Sequence, residues 1–70
     1  MTFSKQGLKE LIDNQANLII YDNYPLEDLI SLAKHSHKKE KLLTIRVLEK
    51  GLEDLKKVAK AGNGNVTIQT

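Results

Sequence analysis

The sequence predicts an α/β fold in which three helices cover one face of a parallel sheet of three or four strands. Two observations support this prediction. Helical and β-like phrases alternate along the 70 residues, and one helical phrase is repeated, since LEDLISLAK at 26–34 returns as LEDLKKVAK at 52–60. Strands separated by helices pair in parallel, and right-handed crossovers made in one direction give sequential strand order with every helix on one side.

The repeat divides a single domain into three helix–strand units, at about residues 5–21, 25–47 and 51–69. Thr2-Phe3-Ser4 precedes the first helix at the spacing expected of a strand, and this predicts a frayed additional strand, the fourth of the sheet, at the start of the chain. A repeat of one strand and one helix resembles the plan of leucine-rich-repeat solenoids. The consensus LxxLxLxxN is absent, so no functional residue of that family is carried over.

The first unit has a short helix followed by a wholly apolar strand. The helix, predicted at about residues 5–14, has Leu8, Leu11 and Ile12 as its apolar anchors and should be the shortest of the three. The β-like phrase 18–21 reads LIIY. Because successive side chains of a strand point to opposite faces, two of these four apolar residues must lie on the face without helices.

The second and third helices each carry an apolar stripe that we expect to face the sheet. The stripes consist of Leu26, Leu29, Ile30 and Ala33, and of Leu52, Leu55, Val58 and Ala59. The strands that follow them, LTIR at 43–46 and VTIQ at 66–69, alternate between apolar and polar residues. Their polar side chains are therefore expected to form the outer face of the sheet.

The glycine-rich turn Gly62-Asn63-Gly64 is interpreted as structural. Phosphate-binding glycine loops lead from a strand into a helix N-terminus, where free N–H groups face the anion. Here the C-terminus of a helix enters the turn, and its carbonyl groups carry partial negative charge. Gly62 is predicted to end the helix in the left-handed conformation, with Asn63-Gly64 completing the turn.

His35 and His37 are the other residues with obvious site chemistry. In a helix they lie roughly 200° apart and cannot bind one metal, whereas an extended H-x-H pair can. Neither a Cys nor a nearby acid completes a ligand set, and no Ser or Thr is joined to a His and an acid at recognisable spacing. The sequence therefore predicts no enzyme, no metal and no cofactor.

The charges are unevenly distributed along the chain. Residues 1–33 carry two Lys and five acids, whereas residues 34–60 carry nine Lys or Arg and four acids. The basic half predicts, as an alternative function, an unspecific surface for nucleic acid or another polyanion. Its residues are Lys34, Lys38, Lys39, Lys41, Lys56, Lys57 and Lys60.

The leading prediction is a non-catalytic protein-interaction module that associates with itself, or with another protein, through its sheet face or an edge strand. The expected interface residues are Ile19, Tyr21, Thr44, Arg46, Thr67 and Gln69. The sequence has no Cys, no apolar run long enough for a membrane span and no signal-peptide core, so we expect a cytoplasmic protein without a membrane partner.

Overall fold

The computed structural model describes residues 3–21, 24–46 and 50–69. Three helices alternate with three strands, in the order α1 (Lys5–Asp13), β1 (Leu18–Ile20), α2 (Leu26–Lys39), β2 (Leu43–Arg46), α3 (Leu52–Gly62) and β3 (Val66–Gln69). The strands form one parallel sheet in the order β1-β2-β3. The predicted α/β class and sequential strand order are confirmed.

The predicted fourth strand is not part of this sheet. Phe3 and Ser4 lie outside any strand, and Thr2 lies outside the described residues. Ser4 instead caps α1, where its hydroxyl accepts a hydrogen bond of 3.1 Å from the N–H of Gly7. This bond satisfies one of the free donors of the first helical turn. With nine residues, α1 is the shortest of the three described helices, as predicted.

The three strands are paired in register, so that equivalent residues form rows across the sheet. Ile20 pairs with Ile45, and Ile45 pairs with Ile68. The first two of these are buried, whereas Ile68 is half-buried. Residues of this row point to the layer of helices, because the core lies on that side. The row formed by Ile19, Thr44 and Thr67 points to the opposite face, which no described helix covers.

The core lies between the helices and the sheet. Each helix contributes a fully buried side chain, Ile12 from α1, Leu32 from α2 and Val58 from α3, and the middle strand contributes Leu43. Ser36 of α2 is buried among them, and its hydroxyl has no hydrogen-bond partner within the described part of the chain. A buried hydroxyl without a partner lowers the free energy of unfolding.

The end of α3 differs from the prediction. Gly62 is the last helical residue, and the left-handed conformation falls on Asn63, with φ 42°, followed by Gly64, with φ 94°. A Cβ on Gly62 would overlap Cγ2 of Val66 and lie 3.1 Å from its Cβ. It would also lie 3.6 Å from Cβ of Ala33. Gly62 is therefore required for close packing against β3 and α2, not for its own backbone conformation.

The apolar stripe of α3 also differs from the prediction. Val58 is buried, but Leu55 is only half-buried, Ala59 is exposed and Leu52 is 68% exposed. The stripe of α2 is covered because α3 lies beside it. No described element lies beyond α3, so part of its stripe faces solvent.

No helix within the described ranges has both the length and the apolar character needed to cross a membrane.

Candidate interaction surface

The outer face of the sheet brings the six predicted interface residues together. Ile19, Thr44 and Thr67 form one row across the three strands, and Arg46 and Gln69 are paired in a later row. Tyr21 directly follows β1, two residues after Ile19, and its ring lies beside Arg46. We call the surface formed by these six residues the bare sheet face.

The apolar part of the bare sheet face lies at β1. Ile19 is 56% exposed and Tyr21 is 53% exposed, although both are large side chains with substantial apolar surface. The guanidinium carbon of Arg46 lies 5.6 Å from the centroid of the Tyr21 ring, within the range of a cation–π contact. Tyr21 and Arg46 therefore form a contact pair on this face, and Ile19 is not buried by it.

The rest of the bare sheet face is polar and nearly uncharged. Of its six residues, only Arg46 carries a formal charge at neutral pH. Thr44, Thr67 and Gln69 present hydroxyl and amide groups, each of which can both donate and accept hydrogen bonds. The face is therefore chemically suited to meet another neutral, hydrogen-bonding surface.

Two asparagines that directly precede β1 and β3 bond to the backbone just before β2. The sequence did not reveal this role. Asn17 precedes β1, and its Oδ1 accepts a hydrogen bond of 2.9 Å from the N–H of Leu42. Asn65 precedes β3, and its Nδ2 donates a hydrogen bond of 3.0 Å to the carbonyl of Lys41. Both side chains thus bond to the segment that precedes β2. An Asn directly before a strand in two of the three units was the signal available in the sequence.

The two histidines both lie in α2 and bond to different neighbours. Nε2 of His35 lies 2.8 Å from Oδ1 of Asp13 on α1, whereas Nδ1 of His37 lies 3.2 Å from Oδ1 of Asn65. The packing of α1 on α2 brings Asp13 to His35, a partner 22 residues away that the sequence did not indicate. No group of three potential metal ligands occurs among the residues the structure describes.

Asp13 joins α1 to α2 through two basic side chains. Besides His35, Nζ of Lys39 lies 3.7 Å from the same carboxylate oxygen. The hydrogen bond from His35, aided by the positive charges of His35 and Lys39 and opposed by desolvation, lowers the pKa of Asp13 below its ordinary value of 3.8. The folded protein therefore favours the charged carboxylate.

This shift predicts a pH dependence of stability. Because the pKa of Asp13 is lower in the folded state, its stabilising contribution is present above pH 3.8 and is lost as the pH falls through the folded-state value. In Asp13→Asn this contribution is absent at every pH. Thermal unfolding of both proteins should show a difference in melting temperature at neutral pH that shrinks in strong acid. A difference that stayed constant down to the acid limit would contradict this assignment.

The predicted polyanion-binding lysines lie on the side of the molecule that carries the helices. Lys34, Lys38 and Lys39 belong to α2, and Lys41 follows it. The others, Lys56, Lys57 and Lys60, belong to α3. Two of the seven form ion pairs with described residues, since Lys39 pairs with Asp13 and Lys56 lies 3.4 Å from Glu53. Polyanion binding by this surface stays a prediction.

The described residues enclose no pocket for a small molecule. The features with potential for recognition are therefore open surfaces: the bare sheet face, the lysines of the helical layer and the uncovered stripe of α3. Comparisons with known protein families, with curated proteins and with solved structures find no match for this chain.

Proposed function

We propose that the chain is a non-catalytic protein-interaction module that binds a second copy of itself through the bare sheet face. The observation that supports this proposal is the exposure of Ile19 and Tyr21, two residues apart, on a sheet face that no described helix covers. Complete burial of a large apolar side chain contributes about 1.5–3 kcal/mol. These two side chains are therefore the natural anchors of a contact.

The composition of the bare sheet face fits this role. Tyr and Arg are enriched in the central parts of protein interfaces, where they carry much of the binding energy. Tyr21 and Arg46 already lie in contact, so their arrangement is partly fixed before binding. A preorganised pair loses less conformational entropy when a partner covers it.

A second copy is the partner that the chemistry of this face favours. Thr44, Thr67 and Gln69 can each donate and accept, so the face can be complementary to itself under two-fold symmetry. The face carries a single formal charge, on Arg46, so the repulsion between two such faces is limited to one pair of like charges. A strongly charged face of one sign would have excluded this arrangement.

Sedimentation equilibrium at micromolar to millimolar concentration tests the proposal. We expect the wild-type protein to associate, and Ile19→Glu or Tyr21→Glu to weaken the association by about 30-fold, the effect of losing one interface anchor. Because both side chains are more than half exposed, the melting temperatures of the variants should stay close to that of the wild type.

Lys38→Glu is a suitable control, because Lys38 is exposed on the helical layer, away from the bare sheet face. It should associate as the wild type does. A wild-type protein that is monomeric over the whole concentration range overturns the proposal. So does an Ile19→Glu variant that associates as strongly as the control.

A further inference from the structure

We infer that copies of this chain also stack end to end, with the α3–β3 end of one copy packed against the α1–β1 end of the next. This contact goes beyond the proposed function, because it joins the free edges of β1 and β3 and the flanks of α1 and α3, and leaves the bare sheet face uncovered. The tail end is defined here by Leu52, Leu55 and Ala59 of α3 together with strand β3. The head end is defined by Phe3, Gly7 and Leu11 together with strand β1.

The tail end is an incompletely covered end of the core. Leu52 is 68% exposed and Ala59 is exposed, although both belong to the apolar stripe of α3. Val66 of β3 is only half-buried, whereas Leu43, its partner in the middle strand, is completely buried. The apolar surface therefore continues from the helix to the strand at this end.

The internal repeat shows what kind of structure fits this surface. Leu52 and Ala59 correspond, 26 residues on, to Leu26 and Ala33 of α2. Ala33 is completely buried and faces the Cα of Gly62, since a Cβ there would lie 3.6 Å away. In the second unit the same flank is thus covered by the next helix–strand unit. A further helix–strand unit is the matching occupant for the flank of α3.

The head end has an apolar flank that can pack against the flank of α3 at the tail end of another copy. Asp13 marks the side of α1 that faces α2, through its contact of 2.8 Å with His35. Leu11 lies roughly 200° from Asp13 around the helix, on the flank away from α2, and is 39% exposed. Phe3 is exposed near the start of the same helix, and Gly7 between them presents no side chain.

The backbone at the two ends is compatible with a continuous sheet. Leu18 donates its N–H to the carbonyl of Leu42, so the backbone groups of Ile19 point to the free edge of β1. Leu43 donates to the carbonyl of Asn65, which by the same alternation leaves the groups of Val66 and Ile68 at the free edge of β3.

Parallel pairing of these two edges places Ile19 of the next copy beside Thr67. This continues the row that Ile19, Thr44 and Thr67 form within one chain. In this register the outward-pointing residues of both copies lie on the same face of the joined sheet. The helices of both copies then lie together on its other face.

Charge favours head-to-tail contact over tail-to-tail contact. Glu10 is exposed next to Leu11 at the head end, while Lys56 and Lys60 are exposed on the helix of the tail end. A two-fold contact between tail ends would bring the lysines of both copies together, and juxtaposed like charges disfavour binding.

A head-to-tail contact has a distinctive consequence. It leaves a free head and a free tail on every assembly, so growth is not closed by symmetry and the mean mass rises with concentration. A contact through the bare sheet face alone would stop at a dimer. The two associations can therefore be separated by experiment.

The test uses two variants that are blocked at opposite ends, Leu11→Glu at the head and Leu52→Glu/Ala59→Glu at the tail. Each variant alone should lose the open series of assemblies, with the end-to-end affinity reduced by about 30-fold. An equimolar mixture retains one intact head and one intact tail, and should form a species heavier than either variant forms alone. Gln6→Glu, at an exposed position of α1, is the control and should assemble as the wild type does.

Sedimentation of the separate and mixed variants decides the outcome. A mixture whose mass distribution is the sum of its two components overturns end-to-end stacking, as does a wild-type series that persists in both blocked variants. If stacking holds while Ile19→Glu has no effect, the sheet-face dimer fails and the stacking stands. If stacking fails while Ile19→Glu abolishes association, the sheet-face dimer stands and end-to-end stacking is overturned.

Discussion

Replacing Leu43 by alanine is expected to lower the free energy of unfolding by about 2–5 kcal/mol, the cost of deleting most of a buried leucine side chain. Leu43 is completely buried in the middle strand, between β1 and β3 and beneath the helices. A domain of this size has a total stability of only about 3–10 kcal/mol. The substitution should therefore remove a large share of the total stability of the domain. Urea denaturation followed by circular dichroism measures the change.

The adjacent leucine provides a matched control. Leu42 has the same side chain and precedes β2, but it is 51% exposed. Leu42→Ala should cost less than about 1 kcal/mol, because half of its surface is in water already. Equal effects of the two substitutions would contradict a core that lies between the helices and the sheet.

Local patterns were sufficient to predict the fold. The repeated LEDL phrase and the alternation of helical and β-like phrases are properties of short segments, and parallel, sequential pairing follows from their order. The exposure of Ile19 and Tyr21 was also predictable, because an apolar run of four residues cannot hide all its side chains on one face of a strand.

The contacts between the helix–strand units could not be predicted from the sequence. Asp13 and His35 are 22 residues apart, and only the packing of α1 on α2 brings them within 2.8 Å. A periodic pattern identifies which residues of a helix share a stripe, but not whether a neighbour covers that stripe. For this reason Leu26 and Leu52, which occupy equivalent positions in the repeat, differ in exposure. The exposure of Leu52 is also an observation on which the proposed end-to-end stacking rests.

The sequence suggested that Gly62 is needed for a left-handed backbone conformation, whereas the structure shows that it is needed for close packing. A glycine near the end of a helix normally suggests a left-handed cap, and here that role belongs to Asn63, one residue later. We expect Gly62→Ala to lower the free energy of unfolding by about 1–3 kcal/mol, because the new methyl group overlaps the side chain of Val66. A left-handed residue would also be destabilised by alanine, so the single substitution does not distinguish the two explanations.

A double-mutant cycle with Val66→Ala distinguishes them. Removing Cγ2 of Val66 removes the overlapping atom and leaves only the 3.1 Å approach to Cβ, so Gly62→Ala should cost much less in that background, aided by the higher helix propensity of alanine of about 1 kcal/mol. Gly51→Ala serves as a control for the loss of glycine, because no atom lies within 4 Å of its Cβ position. A purely conformational role for Gly62 would make its cost the same with and without the Val66 side chain. The packing explanation instead requires a coupling between the two positions that accounts for most of the cost of Gly62→Ala.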